Sequence, residues 1–338
     1  MRNIPTCIAS KEDNFLLLRF LAASLVIFGH CWAIALNPSG ETDWLGQRTL
    51  LFSGTLAVHM FFFISGFLVT MSYERRHSLW AFSKARVLRV FPGLIACITI
   101  TAVTIGPMVS NLSVQQYFAD LRWLKYILGN GSLLAIKYDL PGVFSQTRQP
   151  GVVNGSISTI PGEMQMYIYV AALGVLGLLR TRVRFGFAMA ILLIIGLGFS
   201  KQIKMLSLDT YYPFAAFFML GAYCWMHRDK IIVSGHLLLL LMFACLVFYQ
   251  QPGYFLVLGA TTAYACLWFV YAPGMPWFNR FGDYSYGLYL YGWVMQQLVA
   301  TWFPQFGPYK LFALSFPMAL CCAIASWHLL EKPLLRFK

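Results

Sequence analysis

Phe15-Leu16-Leu17-Leu18-Arg19-Phe20-Leu21-Ala22-Ala23-Ser24-Leu25-Val26-Ile27-Phe28-Gly29-His30-Cys31-Trp32-Ala33-Ile34-Ala35-Leu36 follows the polar start Glu12-Asp13-Asn14 and carries only two ionisable side chains, Arg19 and His30. A bilayer span needs about 20 largely apolar residues, so this run reads as a transmembrane helix. Ionisable groups inside such a helix point to function by default. At roughly 100° per residue, the eleven steps from Arg19 to His30 make about three whole turns, which puts both side chains on one face, roughly 16 Å apart along the axis. Two readings stand side by side. Arg19 snorkels near the end of the span while His30 bonds a neighbouring carbonyl, or the pair forms a polar track through the membrane, charged at one end and titratable in the middle.

The rest of the chain has the same character. With 59% hydrophobic residues, 11% charged residues and a mean hydropathy of +0.65, 338 residues make a polytopic integral membrane protein, not a soluble globular one. The apolar runs are continuous, whereas strands of a membrane barrel alternate apolar and polar residues. The expected fold class is therefore all-α, a membrane helix bundle of about ten transmembrane helices. The net charge of +13 does not point to nucleic acid, because the basic residues sit in short segments between apolar runs. The eight cysteines (Cys7, Cys31, Cys97, Cys224, Cys245, Cys266, Cys321, Cys322) have no metal-ligand spacing and read as small buried hydrophobes, so no metal is expected. No small-residue cleavage site follows the first run, which is expected to stay in the mature protein.

Candidate spans run at about 15–36, 50–72, 90–109, 162–179, 185–200, 210–226, 232–249, 254–272, 284–303 and 309–330. Sixteen of the twenty-five Lys and Arg residues, among them Lys11, Arg75, Arg76, Lys84, Arg86, Arg89, Arg182, Arg228, Lys332 and Lys338, fall on the side that holds the N-terminus. The opposite side has Arg48, Lys201, Lys204 and Lys310, with Arg122, Lys125, Lys137 and Arg148 in one long loop. Positive residues stay inside, so both termini are expected in the cytoplasm. The loop at about 110–161 is then exoplasmic, with a possible interfacial helix from Val114 to Leu128. The expectation is one membrane domain over 1–338, with no appended soluble domain and no internal repeat.

Several short blocks stand out within this frame. Ser65-Gly66 lies in an aromatic-rich run, where small residues permit close helix approach; nearby His59 reads equally as a core histidine or as a partner to another polar group. Arg86 and Arg89 are three residues apart and share a helix face. A guanidinium against Val90 and Phe91 suits bidentate phosphate binding. Pro161 fits a helix first turn, which sets Glu163 at the positive end of the helix dipole, as a cap or as a functional carboxylate. In the Tyr-rich block from Asp283 to Trp293, Tyr291 and Trp293 fall too far inside for an aromatic belt.

In order along the chain, Arg19/His30 (Arg-x10-His), the Phe62–Phe67 block, Lys84–Pro92 (Lys-x-Arg-x-x-Arg-x-x-Pro), Asn154–Tyr167 (Asn-x-Ser…Glu-x-x-x-Tyr), Ser285-Tyr286-x-x-Tyr289-Leu290 and Glu331-Lys332-Pro333 resemble the membrane acyltransferase 3 family, which includes O-acetyltransferases of bacterial surface polysaccharides. The resemblance covers nearly the whole chain. It departs at Ser158, where many members have Trp, and at Gly292-Trp293-Val294, where many have His-x-Pro.

What the resemblance implies is specific. Acetyl-CoA, the acyl donor, enters from the cytoplasm of a bacterial cell and its acetyl group passes across the inner membrane to a sugar hydroxyl of O-antigen, capsule or exopolysaccharide, or of a lipid-linked oligosaccharide. It assigns Arg19 and His30 to an essential pair, Arg86 and Arg89 to the donor side with Arg19, and Glu163 to the exoplasmic side. The chemistry agrees with this, since a sugar hydroxyl is a poor nucleophile until a base takes its proton, and neutral imidazole does so near pH 7. His30 acts as general base or carries the acyl group itself; Glu163 orients the acceptor or His30. The rival readings are a flippase of lipid-linked sugars using the same polar track, and a scaffolding membrane subunit.

Overall fold

The computed structural model describes residues 2–5, 13–76, 78–199, 208–272 and 276–338. Cys7, Lys11, Glu12, Lys201 and Lys204 lie outside the described residues. Long apolar runs become helices, as expected from their length and continuity. In chain order these are α1 Phe15–Ile34, α2 Trp44–Thr49, α3 Ser53–Arg76, α4 Leu79–Ile100, α5 Val114–Ala119, α6 Arg122–Ser132, α7 Ile160–Val175, α8 Arg182–Phe199, α9 Leu208–Met226, α10 Gly235–Val247, α11 Tyr254–Tyr271, α12 Ser285–Trp302 and α13 Pro308–Ser326. Two-residue strands β1 (Arg2–Asn3) and β2 (Ile232–Val233) pair antiparallel.

Each expected span falls on a helix, but among the described residues five helical segments are long and apolar enough to cross a membrane: Phe15–Ile34, Ser53–Arg76, Leu79–Val109, Tyr254–Tyr271 and Pro308–Phe337. α7 has 16 residues and α10 has 13, short of a full crossing. The third segment begins earlier than expected, because α4 takes in the basic block and continues through a π turn at Thr101–Ile105 to Val109. The expected single helix from Val114 to Leu128 is two helices. A Ser113/Gln116 capping box starts α5, and the Asp120 carboxylate accepts the Arg122 N–H at 2.9 Å, turning the chain into α6. Cys321 is exposed, unlike the buried thiols Cys31, Cys97 and Cys266.

The chain divides into two compact units. The first comprises Met1–Arg19, Val58–Ser83 and Gly162–Phe281. Its core is built on Phe63, Phe67, Trp225, Val270 and Tyr271, with Phe15 packed against it. Asn14 fastens the start of α1: its side chain donates to the carbonyls of Phe269 and Ala272, at 3.0 and 3.1 Å, and its N–H to that of Val270. α3 and α9 cross backbone on backbone, where a Cβ at Gly66 would lie 1.9 Å from the Phe218 carbonyl oxygen and one at Gly221 2.0 Å from that of Phe63. The small residue read from Ser65-Gly66 thus has its reason.

The second unit comprises Phe20–Ala57, Lys84–Pro161 and Gly282–Lys338. α12 is its central helix, with every residue from Ser285 to Ala300 except Tyr289 buried. A helix buried all round belongs inside a core. Gly287 lets α13 approach closely, since a Cβ there would lie 2.6 Å from the Ala323 Cα. The turn into α3 is fixed by the fully buried Asp43, whose carboxylate accepts the backbone N–H groups of Leu45, Gly46 and Ser53 at 3.0 to 3.1 Å.

Candidate active site

α1 is unbroken from Phe15 to Ile34, so the eleven-residue spacing of Arg19 and His30 is a helical one. Arg19 ends the first unit's share of this helix and is half-buried; His30 lies in the second unit's share. The imidazole sits between two aromatic rings. Phe52 stacks on it with centroids 6.1 Å apart, and Trp293 meets it edge-on at 4.8 Å and 76°. Its Nδ1 is buried and has no hydrogen-bond partner among the described residues. The backbone carrying the ring is fixed from α12: Gln296 Nε2 donates to the Ile27 carbonyl at 2.6 Å and to the Cys31 sulfur at 2.9 Å, on both sides of His30. At Gly29 a Cβ would lie 2.5 Å from the Ser53 hydroxyl, so the turn before His30 packs directly on the start of α3.

A polar strap, residues 148–156, ties these elements together. Arg148 donates to the carbonyls of Ala35 and Asn37, at 3.2 and 3.0 Å, and Gln149 to that of Ala33 at 3.3 Å, past the C-terminal end of His30's helix. From α12, Gln297 donates to the carbonyls of Gln149 and Val152, and Trp293 Nε1 to that of Val152 at 2.9 Å. Asn154, fully buried, donates in turn to the Leu290 carbonyl at 2.9 Å. The Val152 carbonyl, outside any helix, thereby has two donors.

Arg86 and Arg89 have different surroundings. Arg89 donates to Asp283 Oδ2 at 2.6 Å and lies 3.5 Å from Glu331 Oε2, with side-chain exposures of 12%, 9% and 2% for the three residues. Ser285 donates to the other Asp283 oxygen at 2.5 Å, and Ser326 to Glu331 Oε1 at 2.8 Å. The Tyr286 and Trp327 rings lie 5.5 and 6.0 Å from the guanidinium carbon. A cation so placed joins α4 to the start of α12 and to the end of the last spanning segment. Arg86, one turn earlier on α4, is half-buried.

In the first unit, Glu163 lies in the first turn of α7, as the position of Pro161 implied. Its carboxylate does not close on the helix's own N–H groups. Oε1 accepts the Ser65 hydroxyl at 3.0 Å and the Tyr167 hydroxyl at 2.5 Å. His59 is buried and stacked face to face on Phe217, centroids 4.2 Å apart, and its Nε2 has no hydrogen-bond partner among the described residues.

Of the expected residues, Arg86 and Arg89 share one face of α4 in the second unit, the unit that also holds His30; Arg19 and Glu163 belong to the first. Sequence reasoning passed over Asp283, Glu331, Ser65, Tyr167 and Gln296 as partners. One signal was available: only 12 residues of 338 are acidic, and Asp283 and Glu331 stand beside apolar runs where an unpaired carboxylate is untenable.

Comparison with known proteins agrees with the motifs. A family profile described as an acyltransferase domain matches residues 13–328. The chain belongs to the acyltransferase 3 family. It is a membrane protein and an acyltransferase, which sets aside the flippase and scaffold readings. The acyltransferase is 26% identical over 335 residues to a protein of Shigella phage Sf6 named O-acetyl transferase, covering 95% of this chain and 96% of that one. It is 28% identical over 362 aligned residues to nodulation protein 10 of Rhizobium leguminosarum bv. viciae, covering 98% and 95%. No solved structure matches the acyltransferase.

Proposed function

We propose that this acyltransferase moves an acetyl group from cytoplasmic acetyl-CoA to a sugar hydroxyl of a cell-surface polysaccharide or of its lipid-linked precursor, in the inner membrane of a bacterium, with both termini in the cytoplasm. The observation that carries the reading is His30: a half-buried imidazole on a spanning helix, held between Phe52 and Trp293, whose buried Nδ1 has no hydrogen-bond partner among the described residues. Full-length likeness to a phage O-acetyl transferase supports the choice of group and of oxygen acceptor.

In this reading His30 takes the hydroxyl proton as the sugar oxygen attacks the thioester carbonyl. The carbon–oxygen bond forms and the carbon–sulfur bond breaks. The imidazolium then returns its proton to the departing thiolate, so charge and atoms balance. Arg19 and Arg86 supply cations for the donor's phosphates. Arg89 acts on the donor side by anchoring the helix that presents Arg86, since its guanidinium is already engaged with Asp283 and Glu331. Glu163, its Oε1 held by Ser65 and Tyr167, receives the acceptor sugar through Oε2.

The test uses membranes containing the full chain, radiolabelled acetyl-CoA and the host's surface glycan. Alkali-labile label on glycan is expected with the native protein, and none above background with His30→Ala or Arg19→Ala present at native level. Glycan label at the native rate in either variant overturns this site. Mass spectrometry of glycan made with and without the protein identifies the group transferred; a modification other than acetyl overturns the donor.

A further inference from the structure

Trp293 is 8% exposed and is held on three sides within the second unit. Its Nε1 donates to the Val152 carbonyl. The benzenoid half of its ring lies over Gly155, where an added Cβ would come within 2.9 to 3.0 Å of Cζ3, Cε3 and Cη2. On a third side the ring meets the His30 imidazole edge-on, at 4.8 Å between centroids. An edge-to-face contact of this kind is directional, and its preferred geometry restrains rotation of the ring it touches. His30 needs such a restraint, because Nδ1 has no hydrogen bond among the described residues to orient the imidazole. Elsewhere that task falls to a carboxylate or a carbonyl on the second ring nitrogen.

We propose that Trp293 is the positioning residue of His30: clamped between Val152 and Gly155 of the strap, its indole sets the imidazole's orientation for acyl transfer. The inference rests on the reading of His30 as the transfer base. It extends that reading, because it makes the 148–156 strap part of the catalytic apparatus. A shift of Val152 or Gly155 passes through one rigid ring to the base. Gln296, one turn further along α12, bonds the Ile27 carbonyl and the Cys31 sulfur on either side of His30, and Trp293 meets the imidazole itself.

The experiment measures kcat and the acetyl-CoA KM for glycan acetylation in native membranes, normalised to folded protein by detergent-solubilised size exclusion. Trp293→Ala is expected to lower kcat at least tenfold while leaving the donor KM within twofold. Trp293→Phe keeps a ring and loses the indole N–H, and should retain at least a third of kcat. Gly155→Ala, which changes no polar group, should lower kcat at least fivefold by displacing the indole, and the smaller ring of the Gly155→Ala/Trp293→Phe double variant should recover most of that loss. A native kcat in Trp293→Ala, or a Gly155→Ala defect that Trp293→Phe does not relieve, overturns the proposal. So does a loss that lies wholly in the amount of folded protein. His30→Ala measured alongside separates the two readings: its full activity defeats the base assignment, while its inactivity beside a fully active Trp293→Ala defeats only the positioning role.

Discussion

Arg89 and His30 are both ionisable groups in the second unit, and their surroundings are opposites. Around Arg89, two carboxylates meet the guanidinium, two serines meet the carboxylates, and two aromatic rings close over the cation. Around His30 there are rings on two sides and a buried nitrogen with no partner among the described residues. Buried polar groups in folded proteins are hydrogen-bonded almost without exception, and an exception asks for an explanation. On the function proposed above, the Arg89 cluster serves stability and the His30 setting serves a visiting group. The lesson is that an intramembrane charge can be fully engaged within the protein, so charge alone does not mark a reacting group.

The contrast can be broken most directly at His30. His30→Ala should cut glycan acetylation by at least ~100-fold, the usual contribution of a positioned base, with little change in thermal unfolding. If instead unfolding moves and activity per folded molecule does not, the two sites have been assigned the wrong way round. Arg89→Ala should behave in the opposite manner. It leaves Asp283 and Glu331 facing each other without their cation, a loss of about 3–5 kcal/mol, read as a lower midpoint in detergent and less protein in the membrane.

Glu163 tests whether the first unit holds an open site as well. Tyr167→Phe and Ser65→Ala each remove one donor to Oε1 and should each weaken that contact by roughly 1.5–3 kcal/mol, seen as a higher KM for glycan with the donor KM unchanged. A smaller effect is expected at Asp43, where Asp43→Ala should lower stability by about 0.5–2 kcal/mol through loss of the cap and leave kcat per folded molecule unchanged. Smallest of all is the loop pair Asp120–Arg122. The hydrogen bond from Arg122 holds the Asp120 carboxyl below its ordinary value of 3.8. Its contribution is therefore present in full above that value and fades as pH falls through the lowered one. Asp120→Asn should leave the unfolding midpoint between pH 5 and 8 within error, as expected of an exposed pair in salt.

Much of this could be read along the chain because it is local. Helix position followed from the length and continuity of apolar runs. The turn at Pro161 and the helical spacing of Arg19 and His30 needed only helix geometry. Boundaries failed where a side chain competed with the run, as at Asp120, which ends one loop helix and begins the next. Arg89 shows the limit for the site. Its phosphate-binding potential follows from its chemistry, but its acidic partner Asp283 is 194 positions away and nothing local announces it. Trp293 was noticed for being too deep, without any sign of what it would touch.

By itself the sequence determined that the protein is helical, membrane-embedded and an acyltransferase, because run length, composition and ordered motifs are properties of neighbouring residues. Only the tertiary structure decided which ionisable groups are already satisfied and which still lack a partner. That distinction depends on contacts between distant segments: Asp283 and Glu331 on Arg89, Trp293 beside His30, Ser65 on Glu163. Desolvation is what makes such contacts favourable inside an apolar core.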